Sequence, residues 1–255
     1  MRCTVCEFHD HPEELEQDWA ALCTHVREQK SEIVLLPEMP FAPWPAVIHS
    51  MDPEVWQRFV SAHKSWLERF EELDPATVFC TFPLIEDGVH YNEGFYWEQG
   101  VGYWPVHRKY YLPEEEGFWE ATWYSRGDKT FQIAQTSKGT AGFLICTELW
   151  FTEHARSYAR QGIDFLLVPR AGVLASVDKW LAGGRNAAVM SGAFCLSSNR
   201  TGYNNGVEFG GLGWIIDPDG NVLGKTSPQQ PFVTCEIDLS LAHAAKSTYP
   251  RYVLE

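Results

Sequence analysis

Short, nearly uninterrupted apolar runs alternate along this chain with stretches whose apolar residues recur every three or four positions. No other feature restricts its fold as much. EIVLLP (32–37), TAGFLIC (140–146) and DFLLVP (164–169) are too short for ordinary helices, and they carry the pattern of strands covered on both faces. RCTVCEF (2–8) reads as another strand, followed after Pro12 by a helical stripe of Leu15, Trp19, Leu22, Cys23 and Val26. Pro53 opens a longer helix with its stripe running from Val55 and Trp56 through Phe59, Val60, His63, Trp66 and Leu67 to Phe70 and Leu73. TVFCTFPL, VHYNEGFYW and VGYWPV read as strands, and Arg108 to Asp128 reads as a polar loop. In the second half TEHARSYARQG (152–162) is a short helix ended by Gly162, and residues 176–192 form a helix weakened by Gly183–Gly184. AFCLSSN, LGWIID, NVLGKT and FVTCEID are strands, with Asp217-Pro-Asp-Gly220 as a hairpin turn. Buried strands alternating with helices, then a run of antiparallel strands, predict an α/β architecture with a mixed sheet.

No linker, low-complexity tract or fixed-period repeat interrupts the 255 residues, so one domain over 1–255 is expected. Thirty-four acidic against 20 basic residues give a net charge of −14, which repels phosphate backbones and anionic lipid. Nucleic-acid and membrane-surface roles are therefore disfavoured. No apolar stretch approaches the roughly 18 residues of a spanning helix. The opening MRCTVCEFHDHPEELEQ lacks the apolar core of a secretory signal, and seven cysteines is an odd number. Reduced thiols in the cytoplasm are the natural expectation.

Three places put a reactive side chain just past an apolar strand, the end of an open α/β sheet where ligands collect. They are Glu38 in IVLLPEMPF, Lys109 in HRKYYLPEEEGFWEATWYSRGD, and Cys146 in GFLICTELWFTEHAR. Singly each has an ordinary reading: Glu38 as a helix cap, Lys109 as a solvated lysine, Cys146 as a small core residue. Cys3-x-x-Cys6 has metal or redox spacing but lies inside a strand without a second pair, and no metal site is expected. His9-Asp10-His11 reads as a polar turn, and Gly183–Gly184 lacks the following lysine of a phosphate cradle.

Together the three segments resemble the nitrilase superfamily of carbon–nitrogen hydrolases. That family carries Glu, Lys and Cys in this chain order. The resemblance rests on Leu36-Pro37-Glu38, on Arg108-Lys109-Tyr110-Tyr111-Leu112-Pro113, and on Cys146-Thr147-Glu148-Leu149-Trp150-Phe151-Thr152-Glu153. It continues through VPRAGVLASVDKWLAGGRNAAVMSGAFCLSSNR and the GGLGWIIDPDGNVLGKT hairpin, so it spans essentially the whole chain. It implies a four-layer α-β-β-α sandwich with mixed sheets, dimerised or assembled further, needing neither metal nor organic cofactor. It also implies a second glutamate downstream of the lysine. Glu120, in Glu120-Ala-Thr-Trp-Tyr124 with Gly127, fits better than Glu114, Glu115 or Glu116.

The implied reaction is hydrolysis of a non-peptide C–N bond, with Cys146 as nucleophile and Glu38 as its base. Lys109, held protonated between two carboxylates, stabilises the oxyanion together with the Thr147 N–H, and Glu120 orients the lysine or the attacking amine or water. A small-molecule amide is the expected substrate. Nitrilases typically show Cys-Trp-Glu where this chain has Cys146-Thr147-Glu148, and N-carbamoyl amidohydrolases place arginine where it has Leu149 and Trp150. Those two activities stay as alternatives, as does acyl transfer to an amine. A binding protein without catalysis is the rival of another class. Trp150, Trp119 and Arg170 are expected to line the substrate pocket, favouring a neutral acyl group that is apolar or aromatic, with Arg170 the one residue able to bring in an anion instead.

Overall fold

The computed structural model describes residues 1–74 and 76–253. The first half runs β1 (Arg2–His9), α1 (Pro12–Gln29), β2 (Ile33–Leu35), α2 (Pro53–Leu67), β3 (Thr77–Glu86), β4 (Val89–Glu98), β5 (Gly102–Arg108) and α3 (Glu120–Trp123). The second runs β6 (Ile133–Thr136), β7 (Gly139–Phe143), α4 (Thr152–Gln161), β8 (Phe165–Arg170), α5 (Val177–Ser191) and β9 (Phe194–Asn204). It closes with β10 (Val207–Gly210), β11 (Trp214–Ile216), β12 (Val222–Lys225), β13 (Phe232–Glu236) and α6 (Leu239–Ala245).

The main strand order is β5-β4-β3-β2-β1-β9-β8-β7-β6. β1, β2 and β3 pair in parallel, as do β7, β8 and β9, and the last residues of β1 pair in parallel with β9. The two antiparallel steps from β3 through β4 return β5 to the same direction. All of these strands except β4 and β6, which pairs antiparallel with β7, therefore end at one edge of the molecule. Where β1 turns from one sheet to the other, the Ser198 hydroxyl donates to Leu35 O and accepts from Cys6 N.

Side-chain alternation separates the layers. Cys3, Val5, Ile33, Leu35 and Phe79 share one buried cluster with Phe143, Leu167 and Leu196 of the second sheet. Cys6, Phe8, Val34, Leu36, Val78 and Cys80 point the other way, into a cluster with Leu15, Trp19, Leu22 and Val26 of α1. On the far side of the second sheet, Tyr158 of α4 lies against Gly142 and Gly184 of α5 against Trp214. The four-layer α-β-β-α sandwich is thus the observed architecture.

Sequence expectations change in detail, beginning with the long helix opened by Pro53, which ends at Leu67 and leaves Phe70–Leu73 as a separate 3₁₀ turn. The strand over 140–146 ends at Phe143, leaving Cys146 to open a one-turn 3₁₀ helix over Cys146–Trp150. The stretch from Arg108 to Asp128 contains the turn of α3. β6, β10 and α6 are short elements whose apolar pattern is too brief to read. Gly183 and Gly184 do not interrupt α5, and Cys3 and Cys6 face opposite sides of β1.

Candidate active site

Four separate elements end at the shared edge and bring Glu38, Lys109, Glu120 and Cys146 together. Glu38 follows β2, and its N–H donates to the carbonyl of Arg170 at the end of β8, 3.3 Å away. Lys109 follows β5, its N–H donating to Asn92 O at 2.9 Å and its carbonyl accepting from Gly127 N at 3.0 Å. A Cβ on Gly127 would sit 2.3 Å from the Arg108 carbonyl oxygen, so the returning chain passes this close only as glycine. Glu120 opens α3, and Cys146 begins its turn at φ +48, a left-handed conformation rare for a residue with a side chain.

Glu38, Lys109 and Glu120 are at most 1% exposed and Cys146 is 4% exposed. Lys109 Nζ donates to Glu38 Oε1 at 2.8 Å and to Glu120 Oε2 at 2.5 Å. Asn92 Nδ2 also donates to Glu38 Oε1, at 2.8 Å, and the Tyr124 hydroxyl donates to Glu120. Glu38 Oε2 has no hydrogen-bond partner among the described residues. Buried charges of this kind persist only when paired and hydrogen-bonded, as these are.

The environment sets each proton. Burial works against the Lys109 charge, but Glu120 and then Glu38 outweigh it and hold the ammonium above the ordinary lysine range. Burial, opposed by Lys109, pushes Glu120 up to about 7. Burial, followed by the charge of Glu38, pushes the Cys146 thiol up to about 12 against the pull of Lys109. At neutral pH the site holds a protonated thiol and a cationic lysine, and the Glu38 side chain beside the lysine keeps one open oxygen.

A third carboxylate clamps the site from behind. Glu148 accepts from Ile145 N at 2.8 Å and from Tyr110 N at 2.7 Å, so one side chain ties the segment before Cys146 to the segment after Lys109. His107 Nε2 donates to both its oxygens, at 2.8 and 3.0 Å. Sequence reasoning gave no role to Glu148, His107 or Asn92, and named Tyr124 only within the Glu120 segment. The C-x-E spacing and the placement of Tyr124 one turn beyond Glu120 were the available signals.

The four candidate pocket residues fare differently. Thr147 stands one residue ahead of the first bond of its turn, Glu148 N to Ile145 O, which leaves its N–H outside that bond. Trp119 adjoins Glu120 and lines a cavity of about 860 Å³ with Phe118, Val173, Leu174 and Val207; Glu116 and Glu208 also border it. Val173 lies two residues beyond Ala171, whose backbone N–H favours the Cys146 thiolate against burial. Trp150 is 45% exposed and packs on Trp180, ring centroids 4.9 Å apart, beside Gly183 of α5. Arg170 is buried, donating from Nε to Ser197 Oγ at 2.7 Å and from Nη2 to Leu212 O at 2.7 Å, with Trp214 4.1 Å beneath its guanidinium. Glu114 instead receives Thr122 N at 3.0 Å, and Glu114, Glu115 and Glu116 are all exposed.

A parallel-ended α/β sandwich with a buried cysteine, lysine and two glutamates at its strand ends is the architecture of a carbon–nitrogen hydrolase. The carbon-nitrogen hydrolase family model matches residues 10–247, and the chain belongs to that family. Among curated relatives, it is 28% identical to the N-carbamoylputrescine amidase of Solanum tuberosum over 143 residues, 50% of this chain and 48% of that protein. The chain spans about half the length of the curated relatives it matches. Among solved structures, the carbon-nitrogen hydrolase of Helicobacter pylori G27 superposes with a TM-score of 0.84 at 21% identity, over 99% of this chain and 94% of that one. An amidase from Nesterenkonia sp. gives 0.77 at 20% identity, over 95% of this chain and 92% of that one. Both likenesses concern the fold. No helix among the described residues is long and apolar enough to cross a membrane.

Proposed function

We propose that the protein hydrolyses a small neutral amide to a carboxylic acid and ammonia or an amine through a thioester on Cys146. The observation that carries this reading is Lys109 hydrogen-bonded to two carboxylates at 2.8 and 2.5 Å, its charge acting on the Cys146 thiol. A lysine so held is a fixed cation, and two of its three N–H groups are spent on the carboxylates, leaving one for an oxyanion. Glu38 Oε2, the unpartnered oxygen, takes the thiol proton as sulfur bonds to the carbonyl carbon. The carbonyl oxygen becomes an oxyanion between Lys109 and the Thr147 N–H. Collapse breaks the C–N bond, and protonated Glu38 delivers its proton to the departing nitrogen. Water then attacks the thioester while Glu38 takes its proton, the acid leaves, and the thiol is restored. Glu120 anchors Lys109 throughout.

The neutral character of the acyl group is supported by the cavity beside Trp119, where Phe118, Val173, Leu174 and Val207 share the wall with the carboxylates of Glu116 and Glu208, which would repel an anion. It is supported also by Arg170, whose Nε and Nη2 are committed to Ser197 and Leu212 and so are not presented as a fork for a carboxylate. The amidase names of the relatives favour amides over nitriles. The test is a panel of amides, nitriles and N-carbamoyl compounds scored by ammonia release, with intact-protein mass measured during turnover. Neutral amides with apolar acyl groups are expected to lead in kcat/KM and to leave an acyl adduct on Cys146. Faster nitrile turnover, or a lead for α-carboxylates that Arg170→Ala removes, would overturn the substrate assignment.

A further inference from the structure

Glu38 belongs to a loop that no strand ladder supports. Between Glu38 and Trp44, residues Glu38, Met39, Pro40, Phe41 and Trp44 are buried, so their backbone polar groups need partners other than water. Side chains supply them. Met39 N donates to Thr81 Oγ1 at 2.9 Å, Phe41 N to His63 Nε2 at 3.1 Å, and Trp44 N to Asp10 Oδ1 at 3.0 Å. The carbonyls are handled by one residue. Arg200 donates from Nε to Glu38 O at 3.0 Å, from Nη1 to Ala42 O at 2.9 Å, and from Nη2 to Met39 O. Its charge is met by Asp10, which also receives the Asn204 amide at 2.6 Å.

We infer that Arg200, seated on Asp10, is the positioning residue that fixes the Glu38 carboxylate for catalysis; this rests on Glu38 being the base proposed above. Three carbonyls from a five-residue stretch converge on one planar guanidinium, and only arginine offers donors in that fixed fan. The grip includes the left-handed residue of this stretch. Met39, next to Glu38, is held at φ +40, a conformation its side chain disfavours, with its N–H and its carbonyl both tied down. Releasing the carbonyls lets Met39 relax and swings Glu38 away from Lys109 and Cys146. A displacement of about 1 Å at such a group is worth about 100-fold in rate. Arg200 lies on β9, 162 residues from Glu38, and touches none of the reacting groups with its own donors.

The test compares Arg200→Lys, which keeps a charge opposite Asp10, with the paired change Asp10→Asn/Arg200→Gln, which removes both charges. Glu38→Gln and Ile216→Ala run alongside; Ile216 is a core residue of β11, opposite Cys195 at the end of β9 far from Arg200. The readouts are the rate of Cys146 alkylation by iodoacetamide, mapped by peptide mass, together with kcat, KM and Tm. Both Arg200 variants are expected to lose about 100-fold in kcat and in alkylation rate, with KM within about threefold. Ile216→Ala should lower Tm and leave both rates nearly unchanged. Folded Arg200 variants that keep wild-type alkylation and kcat would overturn the inference, as would an equal loss in Ile216→Ala. Slow alkylation by Glu38→Gln beside fast alkylation by the Arg200 variants defeats this inference alone. Wild-type alkylation by Glu38→Gln defeats the base assignment beneath it.

Discussion

Burial that holds the Cys146 thiol at about 12 leaves almost no thiolate at neutral pH, so the proposed attack depends on Glu38 taking the proton as the bond forms. Cys146→Ala should keep the fold and abolish turnover, while Glu38→Gln and Lys109→Ala should each lose on the order of 10³-fold in kcat. Measurable turnover by the alanine variant at Cys146 would reject the nucleophile. Glu120 makes a pH prediction. Its folded value, near 7, exceeds that of the unfolded chain, so the folded state binds its proton more tightly. The stability from this group is complete below the unfolded value of about 4.3 and is lost as pH rises through its folded value. Activity runs the other way, since anchoring Lys109 requires the ionised carboxylate. Glu120→Gln should therefore flatten denaturant-measured stability across that window and erase the acid limb of kcat/KM near 7. An unchanged limb in the variant would assign it to another group. Glu38, Lys109 and Cys146 could be singled out in the sequence from their places after strands together with the family-like segments around them, each having an ordinary reading alone. Asn92, 54 residues from Glu38, and Arg200, 162 residues away, could not be, because their partners are neighbours only after the sheets assemble.

At the scale of elements, α5 shows how packing overrides helix propensity. A Cβ on Gly184 would lie 2.8 Å from the ring of Trp214, which is fully buried and has nowhere to move. A Cβ on Gly183 would lie 2.9 Å from Trp150, which is 45% exposed and free to swing. Gly184→Ala should cost about 1–3 kcal/mol despite alanine's better propensity, whereas Gly183→Ala should gain up to about 1 kcal/mol. Thermal melts of the two variants should shift in opposite directions, and shifts of one sign would show that Trp214 has room after all. The apolar pattern announced β2, β7, β8, α1, α2 and α5. It overran at β7, because Ile145 N–H turns to Glu148 rather than to a neighbouring strand and Cys146 adopts a positive φ. It missed α3, a four-residue turn held by the Glu114 carboxylate on Thr122 and too short to show a stripe.

Across the whole molecule, the two sheets meet at Phe143, its ring centroid 6.1 Å from that of Phe79 and its edge 3.0 Å from a Cβ placed on Gly94. Phe143→Ala should destabilise by about 3–5 kcal/mol. Because Phe143 ends the strand that carries Cys146, activity measured well below the variant's Tm should fall as well. A stability loss with undiminished kcat would show that the turn at Cys146 is held by Glu148 alone. What the sequence determined by itself is what local physics can decide. Runs of apolar residues must be buried, strands covered on both faces call for helical layers, and reactive side chains after such strands sit at a common edge. The tertiary structure decided which of those residues meet. The Lys109 pairings with Glu38 and Glu120, the Glu148 clamp and the Arg200 fan are contacts between distant segments in a dry interior. Their geometry is set by strand order and by the need to satisfy every buried polar group, and neither constraint leaves a periodic trace along the chain.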